Sequence, residues 1–258
     1  MHEVTYRDRA VFLPDSETLV VADLHVGRAE ASSVQFPLGE RRDLTDRLAA
    51  LVSAFDPEDV VLAGDVLHRF DAATARAADG VAAVADTCRD GGARPVFVRG
   101  NHDTVLESAW DGDVHDEYVV RGSARAGADG DTDSDADADT DADADTDTDS
   151  DVVVCHGHAA PETEAGLYVV GHLHPSISIE GQRRPCFLSG DGVYSGADVL
   201  VLPAFTRLAA GVAVGGLSGS DTRSPLVTDV DAFRPVVYDA DADEALSFPP
   251  LGRFKRML

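Results

Sequence analysis

Thr18-Leu19-Val20-Val21-Ala22-Asp23-Leu24-His25 is a short, largely apolar run that ends in a carboxylate and an imidazole. The arrangement recurs four more times, in Val60-Val61-Leu62-Ala63-Gly64-Asp65-Val66-Leu67-His68, Pro95-Val96-Phe97-Val98-Arg99-Gly100-Asn101-His102-Asp103, Val152-Val153-Val154-Cys155-His156-Gly157-His158 and Leu167-Tyr168-Val169-Val170-Gly171-His172-Leu173-His174. Such runs are typical of buried strands, and open α/β sheets place their chemistry beyond the carboxyl ends of their strands. The sequence therefore predicts a metal site where five strand ends converge.

Around these blocks the first half of the chain alternates strands with helices, whereas the second half is rich in strands. Helices are predicted at Glu40–Phe55 and Asp71–Arg89. Strands after Val152 are predicted at Ser176–Ile179, Cys186–Leu188, Val199–Leu202, Leu208–Val214 and Pro235–Tyr238. This order predicts an α/β fold, a four-layer α-β-β-α sandwich of two mixed sheets with helices on the outer faces.

An acidic tract separates the two halves. From Asp129 to Asp151 every second residue is Asp, and the residues between offer no apolar face to bury. The tract at about 128–151 is therefore predicted to be a disordered insertion, although a calcium-binding or regulatory role is the alternative. Because metal-ligand blocks lie on both sides of it, residues 1–258 are expected to form a single domain.

Charge and cysteine content bear on the environment of the protein. The chain has 47 acidic and 21 basic residues, a net charge of −26, and only one lysine, Lys255. Such an Asp-rich, Lys-poor composition resembles proteins of salt-loving archaea. No apolar stretch approaches the ~20 residues of a membrane span, the first 15 residues lack a signal-peptide core, and the three cysteines form no paired framework. We expect a cytoplasmic protein without a membrane partner.

The donor set narrows the chemistry of the predicted site. Carboxylate, amide and imidazole ligands without thiolate suit manganese, iron, cobalt, nickel or zinc better than calcium or magnesium. The ligands are too many for one ion, and a carboxylate between two groups of them can bridge two ions. Two ions ~3.5–4 Å apart clamp a phosphoryl group and generate a hydroxide nucleophile. The residues alone therefore favour a binuclear hydrolase.

The ordered motifs D-x-H, G-D-x-x-H, G-N-H-D, H-G-H and G-H-x-H, spanning Asp23 to His174, resemble those of the calcineurin-like metallophosphoesterases. The opening Val-Ala-Asp-Leu-His-Val-Gly-Arg and the short spacing look most like the predicted phosphoesterases of archaea and bacteria. Relatives of that branch include a DNA-ligase-associated endonuclease. The resemblance implies a phosphate-ester substrate, with a nucleotide or nucleic acid among the candidates.

The resemblance also implies a role for each residue. Asp23, His25 and His174 would bind the first of two divalent ions, most readily Mn²⁺. Asn101, His156 and His172 would complete the second site, with Asp65 bridging both ions. A metal-bridging hydroxide would then attack the phosphodiester, or possibly a phosphomonoester.

Three further residues are implied to be catalytic. His102 would protonate the leaving oxygen or stabilise the transition state, Asp103 would orient His102, and His68 would contact substrate or His102. For His68 and for His158 a structural role is an equally good interpretation. Arg28, Arg69 and Arg99 are candidate phosphate clamps, although surface roles suit them better, and Arg253, Lys255 and Arg256 form a small basic C-terminus.

The sequence is also compatible with other functional classes. A DNA-repair-associated nuclease of the same superfamily is one alternative, and a non-catalytic metal-binding scaffold on this fold is another. A metallo-β-lactamase-type hydrolase is disfavoured, because His156-Gly157-His158 continues as Ala159-Ala160-Pro161 and no H-x-H-x-D-H run exists. The sparse aromatic residues predict no platform for base stacking.

Overall fold

The computed structural model describes residues 2–31, 39–120 and 151–255. Apart from Asp151, the acidic tract predicted at about 128–151 lies outside these ranges. The α-helices are α1 (Arg28–Ala31), α2 (Glu40–Phe55), α3 (Ala75–Asp90) and α4 (Leu251–Phe254). The strands are β1 (Thr5–Arg7), β2 (Ala10–Leu13), β3 (Thr18–Val21), β4 (Asp59–Ala63), β5 (Arg94–Val98), β6 (Val114–His115), β7 (Glu117–Val120), β8 (Val152–Cys155), β9 (Leu167–Val170), β10 (Pro175–Ile179), β11 (Gln182–Pro185), β12 (Phe187–Tyr194), β13 (Ala197–Val201), β14 (Val212–Ala213), β15 (Arg234–Asp239) and β16 (Glu244–Ser247).

Two mixed sheets form the centre of the fold. The first has six strands in the order β1-β2-β3-β4-β5-β6, and β3 to β6 run parallel. The second has seven strands in the order β16-β15-β12-β13-β9-β8-β7, with β13, β9 and β8 parallel. A smaller sheet has the order β11-β10-β14. The predicted α/β class is therefore confirmed.

The apolar runs are continuous because their strands are buried on both faces. In β3, Leu19 and Val21 pack towards α2 and α3, whereas Val20 packs between the two large sheets. In β8, Val154 lies between the sheets, whereas Val153 packs on the outer face of the second sheet. That outer face is covered by β10, short 3₁₀ turns and α4 rather than by long helices.

Helix α2 begins and ends at the predicted residues, and its Leu44, Leu48 and Leu51 are buried against the first sheet. The prediction for α3 began four residues too early. The helix starts at Ala75 because the side chain of Thr74 accepts a hydrogen bond from the backbone N–H of Ala77 and caps it.

One predicted strand is largely wrong. Only Val212–Ala213 of the segment 208–214 is extended, as the short β14, because the chain turns at Arg207 and Leu208. Cys88, Cys155 and Cys186 are buried and unpaired, as the sequence indicated. Within the described residues, no helix is long and apolar enough to cross a membrane.

Candidate metal centre

The predicted ligands lie just beyond the carboxyl ends of five strands. Asp23 and His25 follow β3, Asp65 follows β4, Asn101 follows β5, His156 follows β8, and His172 and His174 follow β9. The centre is thus built from both large sheets. The backbone turns sharply there, because five of these residues have left-handed φ angles: Asp23 (56°), His25 (48°), Asp65 (48°), His172 (67°) and His174 (49°). Such conformations cost of order 1–3 kcal/mol each and cluster at functional sites.

Two glycines of the motifs allow close packing at the centre. A Cβ atom on Gly100 would lie 2.1 Å from the backbone nitrogen of Asp65, and one on Gly171 would lie 2.6 Å from Oδ2 of Asp23. Any side chain at either position would displace the candidate ligands. The glycines of G-N-H-D and G-H-x-H therefore have a steric function.

One group of candidate ligands comprises Asp23, His25 and His174. The Nε2 atoms of His25 and His174 are 3.3 Å apart, and Nε2 of His174 lies 3.0 Å from Oδ1 of Asp23. Asp23 is fully buried and His25 is 2% exposed. These separations match ligand atoms that share one ion at ~2.0–2.2 Å.

A second group lies around His156. Its Nε2 atom is 3.1 Å from Oδ1 of Asn101, 3.3 Å from Nδ1 of His172 and 3.4 Å from Oδ1 of Asp65. The other carboxylate oxygen of Asp65, Oδ2, lies 4.0 Å from Nε2 of His25. The two oxygens of Asp65 therefore face the two groups of ligands.

The hydrogen-bond pattern fits a cation at this place. Nδ1 of His156 lies 3.2 Å from the carbonyl oxygen of Ala63, which only accepts, so Nδ1 carries the hydrogen and a neutral ring presents a lone pair at Nε2. That lone pair faces the acceptor oxygens of Asn101 and Asp65, an arrangement that is unfavourable without a positive charge between them. Oδ1 of Asp23 is also buried, and among the described residues it has no hydrogen bond of good geometry, although Nε2 of His174 lies 3.0 Å away. In metal-binding histidines the ring nitrogen that does not bind the metal typically donates a hydrogen bond, here to a backbone carbonyl.

The protonation of the histidines also suits metal binding. Burial lowers the pKa of His25 and of His172 to about 4, although Asp23 opposes the shift in both. Both rings are therefore neutral at neutral pH and can offer lone pairs. Burial lowers the pKa of His174 as well, but the adjacent Asp23 outweighs it, and the pKa lies above its ordinary value.

These shifts predict that the metal-free protein loses stability in acid. Because His25 and His172 bind protons near pH 6.5 when unfolded but only near pH 4 when folded, protonation favours the unfolded state in between. The free energy of unfolding should thus be greatest above pH 6.5 and fall as the pH approaches 4, by about 3 kcal/mol for the nearly fully buried His25. His174, whose pKa is raised, acts in the opposite direction.

Denaturant unfolding of the chelated protein at pH 6.5 and pH 4.5 measures this difference. The variant His25→Gln should show a weaker dependence on pH than the wild type. An identical dependence in both proteins would contradict the role given to His25.

The proposed catalytic residues occupy the rim and the support of the centre. The ring of His102 is one-third exposed; its Nδ1 lies 3.0 Å from the carbonyl oxygen of His68, and its Nε2 lies 3.9 Å from Oδ2 of Asp65. Geometrically, His102 also forms a possible ligand group with His25 and Asp65. The ring of His68 lies nearly parallel to that of His102 with 6.3 Å between ring centroids, so the structure brings these two residues together.

The expected orientation of His102 by Asp103 is corrected by the structure. The buried carboxylate of Asp103 accepts hydrogen bonds from the backbone amides of Val66, Leu67 and Gly100. The backbone of His68, and not Asp103, therefore orients the ring of His102. Asp103 instead ties the loop after β4 to the loop after β5.

The remaining sequence candidates are peripheral. His158 is exposed, with its ring 5.3 Å from that of His156. Arg69 pairs with Asp71, and Arg99 pairs with Glu107 and Asp116. Arg28 is close enough to contribute to lowering the pKa of His25 and of His68. At the C-terminus Lys255 pairs with Asp231, Arg253 is exposed, and Arg256 lies outside the described residues.

Sequence reasoning missed an aromatic residue at the rim. Phe70 is 63% exposed, and its ring lies edge-on to that of His102 with centroids 6.1 Å apart. Its backbone carbonyl accepts a hydrogen bond from Thr104. The sequence pattern had indicated no aromatic residue at this position. A single Phe in a loop gives no sequence signal, since its exposure depends on the fold.

The fold and this cluster define a class of protein that sequence comparison identifies. Residues 17–202 match the model of the calcineurin-like phosphoesterase family, and the chain belongs to that family, whose chemistry is hydrolysis of phosphoester bonds. The solved structure of the nuclease MPE from Pseudomonas putida is similar, with 22% identity, coverage of 96% of this chain and 100% of that chain, and a TM-score of 0.57.

A more distant likeness is to Yfce, a phosphoesterase from E. coli, with 13% identity, coverage of 91% of this chain and 98% of that chain, and a TM-score of 0.42. No curated protein matches the sequence.

Proposed function

We propose that this protein is a binuclear metal-dependent phosphoesterase that hydrolyses phosphodiester bonds. Asp23, His25 and His174 would hold one ion, and Asn101, His156 and His172 the other, with Asp65 shared. The observation that carries the proposal is the convergence of lone pairs from Asp65, Asn101 and His156 on one point. We further propose that the described sheets form a single domain.

The donor set favours transition metals in this proposal, with Mn²⁺ first and Fe, Co, Ni or Zn as the other choices. When bound, two such ions supply charge neutralisation for the phosphoryl group and a nucleophile at neutral pH. The neutral rings of His25 and His172 offer lone pairs without a proton to displace. Asp103 holds the two ligand loops together through backbone amides.

His102 is the proposed proton donor for the leaving oxygen. Because the carbonyl of His68 only accepts, Nδ1 of His102 keeps its hydrogen, and the protonated ring would donate its second proton from Nε2. Nε2 points towards Asp65, whose Oδ2 is 3.9 Å away. One-third of the side chain is exposed, so the ring is open to a substrate on part of its surface.

A nuclease is the second candidate, and Phe70 favours it. An exposed aromatic ring beside the proposed acid provides a surface on which a nucleobase can stack. The similar structure from Pseudomonas putida is named a nuclease. A non-catalytic scaffold is less well supported, because every proposed ligand and His102 are present in one cluster.

The proposal also includes the source and the cellular compartment of the protein. The acidic composition is consistent with a haloarchaeal source and work in molar salt. Three buried, unpaired cysteines are consistent with a reducing cytoplasm. We also propose that the protein belongs to the archaeal and bacterial branch of the family that its motifs indicate.

Metal removal tests the proposed function. We expect protein treated with chelator and dialysed to lose hydrolysis of bis-p-nitrophenyl phosphate, because the ligand groups then lack their ions, and to regain it with Mn²⁺. Metal analysis should find two ions per chain in the active form. Full activity in protein shown to be free of metal would refute the proposal.

The substrate panel then separates the two candidates. Single-stranded DNA, p-nitrophenyl phosphate and cyclic nucleotides are compared with bis-p-nitrophenyl phosphate under the same conditions of salt and metal. A nuclease should cleave DNA with a kcat/KM above that for the small esters. Cleavage of the small diester with no cleavage of DNA would favour a small-molecule phosphodiesterase.

A further inference from the structure

A cavity of about 240 Å³ adjoins the candidate metal centre on the side of His174. Its wall includes His174, Ser176, Arg9 and Arg183, and no Asp or Glu among the described residues lines it. In a chain with 47 acidic and 21 basic residues, two arginines without a carboxylate are an unusual lining. The cavity is therefore suited to an anion.

A second cavity, which includes His156 in its wall, differs in charge. It has a volume of about 250 Å³ and is lined by His156 and Arg99 together with Asp116, Glu117 and Glu162. The guanidinium of Arg99 is 3.2 Å from the carboxylate of Asp116. Its one cation is neutralised, so an anionic chain leaving the metal centre is better accommodated on the side of His174.

Ser176 supplies an independent sign of a ligand. The residue is 2% exposed, and its Oγ has no hydrogen-bond partner among the described residues. An unpaired buried hydroxyl is costly in a folded protein. Gly211 keeps the space in front of it open, because a Cβ there would lie 3.2 Å from Oγ. A ligand that accepts a hydrogen bond would satisfy Ser176.

The two arginines are held differently. Nη1 of Arg9 donates to the carbonyl oxygen of Ala204 at 2.9 Å and to that of Thr206, which fixes the guanidinium. Burial lowers the pKa of Arg9 to about 10, so it stays charged at neutral pH. Arg183 is exposed on β11, and neither arginine has an ion pair within the described residues.

Strand β11 also provides a control residue. Side chains alternate along a strand, and Arg183 and Pro185 line the cavity whereas Arg184 between them does not. Arg184 is exposed and, within the part of the chain that is described, has no ion pair either. Arg183 and Arg184 therefore differ mainly in the face of β11 from which their side chains project.

We propose that this cavity binds a second phosphate group of the substrate, adjacent along the chain to the phosphate at the metal centre. The proposal rests on the proposed function and narrows its substrate class to oligonucleotides. His174 belongs both to the metal-ligand group and to the cavity wall, so the cavity is adjacent to the candidate metal centre. Planar guanidinium groups match phosphate oxygens, and Ser176 adds a donor.

Chromogenic nucleotides test the proposal in the Mn²⁺-loaded protein. Thymidine 3′-(p-nitrophenyl phosphate) is compared with its 5′-phosphorylated form, and thymidine 5′-(p-nitrophenyl phosphate) with its 3′-phosphorylated form. In one of the two pairs we expect the added phosphate to lower KM about 10-fold, as for one charge-assisted contact. Arg183→Gln should remove this gain, whereas Arg184→Gln should keep it.

A binding measurement keeps the test independent of turnover. Thymidine 3′,5′-bisphosphate should bind the wild type about 10-fold more tightly than either monophosphate, and Arg183→Gln should lose that difference. If bis-p-nitrophenyl phosphate is not hydrolysed, the proposed function fails. The binding difference still shows whether the cavity binds a second phosphate group.

Three outcomes would overturn the proposal. The first is equal behaviour of Arg183→Gln and Arg184→Gln in both assays. The second is no gain from the added phosphate in either pair of substrates or in binding. In the third, Arg183→Gln weakens inhibition by inorganic phosphate alone and leaves the gain from the bisphosphate unchanged, which would make the cavity a site for free phosphate.

Discussion

Asp65→Asn should abolish most of the activity and lower the bound metal below two ions per chain. The carboxylate is 3% exposed, and its two oxygens face different groups of ligands, Oδ1 towards His156 and Oδ2 towards His25. Asparagine keeps the shape but removes the charge and replaces one oxygen with an amide donor. Substitution of a residue that hydrogen-bonds to a metal ligand commonly lowers metal affinity or activity by 10–100-fold. Loss of a ligand shared by two ions should therefore lower kcat/KM by more than about 100-fold.

Metal analysis together with kinetics at saturating Mn²⁺ measures both effects. Asp86→Asn is the control, because this exposed carboxylate on α3 pairs only with Arg89 among the described residues. Circular dichroism should show that both variants are folded. Two ions per chain in folded Asp65→Asn would refute the shared-ligand assignment.

Much of this centre is predictable from the sequence, because a buried strand has a distinctive pattern. Val60, Val61 and Leu62 are apolar in succession since one face of β4 meets the helices and the other meets the second sheet. Where such a run ends in Asp65, the polar side chain must lie at the edge of the sheet. Parallel strands then bring their ends together without any further information.

Contacts that depend on loop conformation are not predictable in the same way. The neighbouring positions of His102 and Asp103 suggest that the carboxylate orients the ring, yet the carboxylate is turned inward onto three backbone amides. The exposure of Phe70 and the unpaired hydroxyl of Ser176 likewise depend on which loops and strands meet. Periodicity also fails for the segment 208–214, because the turn at Leu208 carries no Gly or Pro signal.

His102→Ala should retain two metal ions yet lose catalysis by about 100-fold or more, the upper range of a general acid's contribution. Nδ1 of this ring is bonded to the carbonyl of His68, which directs Nε2 towards the space beside Asp65. If Nε2 delivers a proton to the leaving oxygen, the deficit should shrink for p-nitrophenyl esters, whose leaving group needs little protonation. It should be largest for alkyl or nucleoside leaving groups.

The dependence on the leaving group separates the two roles that His102 can have. A ring that stabilises charge on the phosphoryl oxygens would produce a similar loss with good and poor leaving groups. His115→Ala is the matched control, because this histidine on β6 packs against Tyr118 and belongs to none of the candidate ligand groups. Loss of an ion from folded His102→Ala would instead place His102 with His25 and Asp65 as a metal ligand, since these three side chains already approach closely enough to share one.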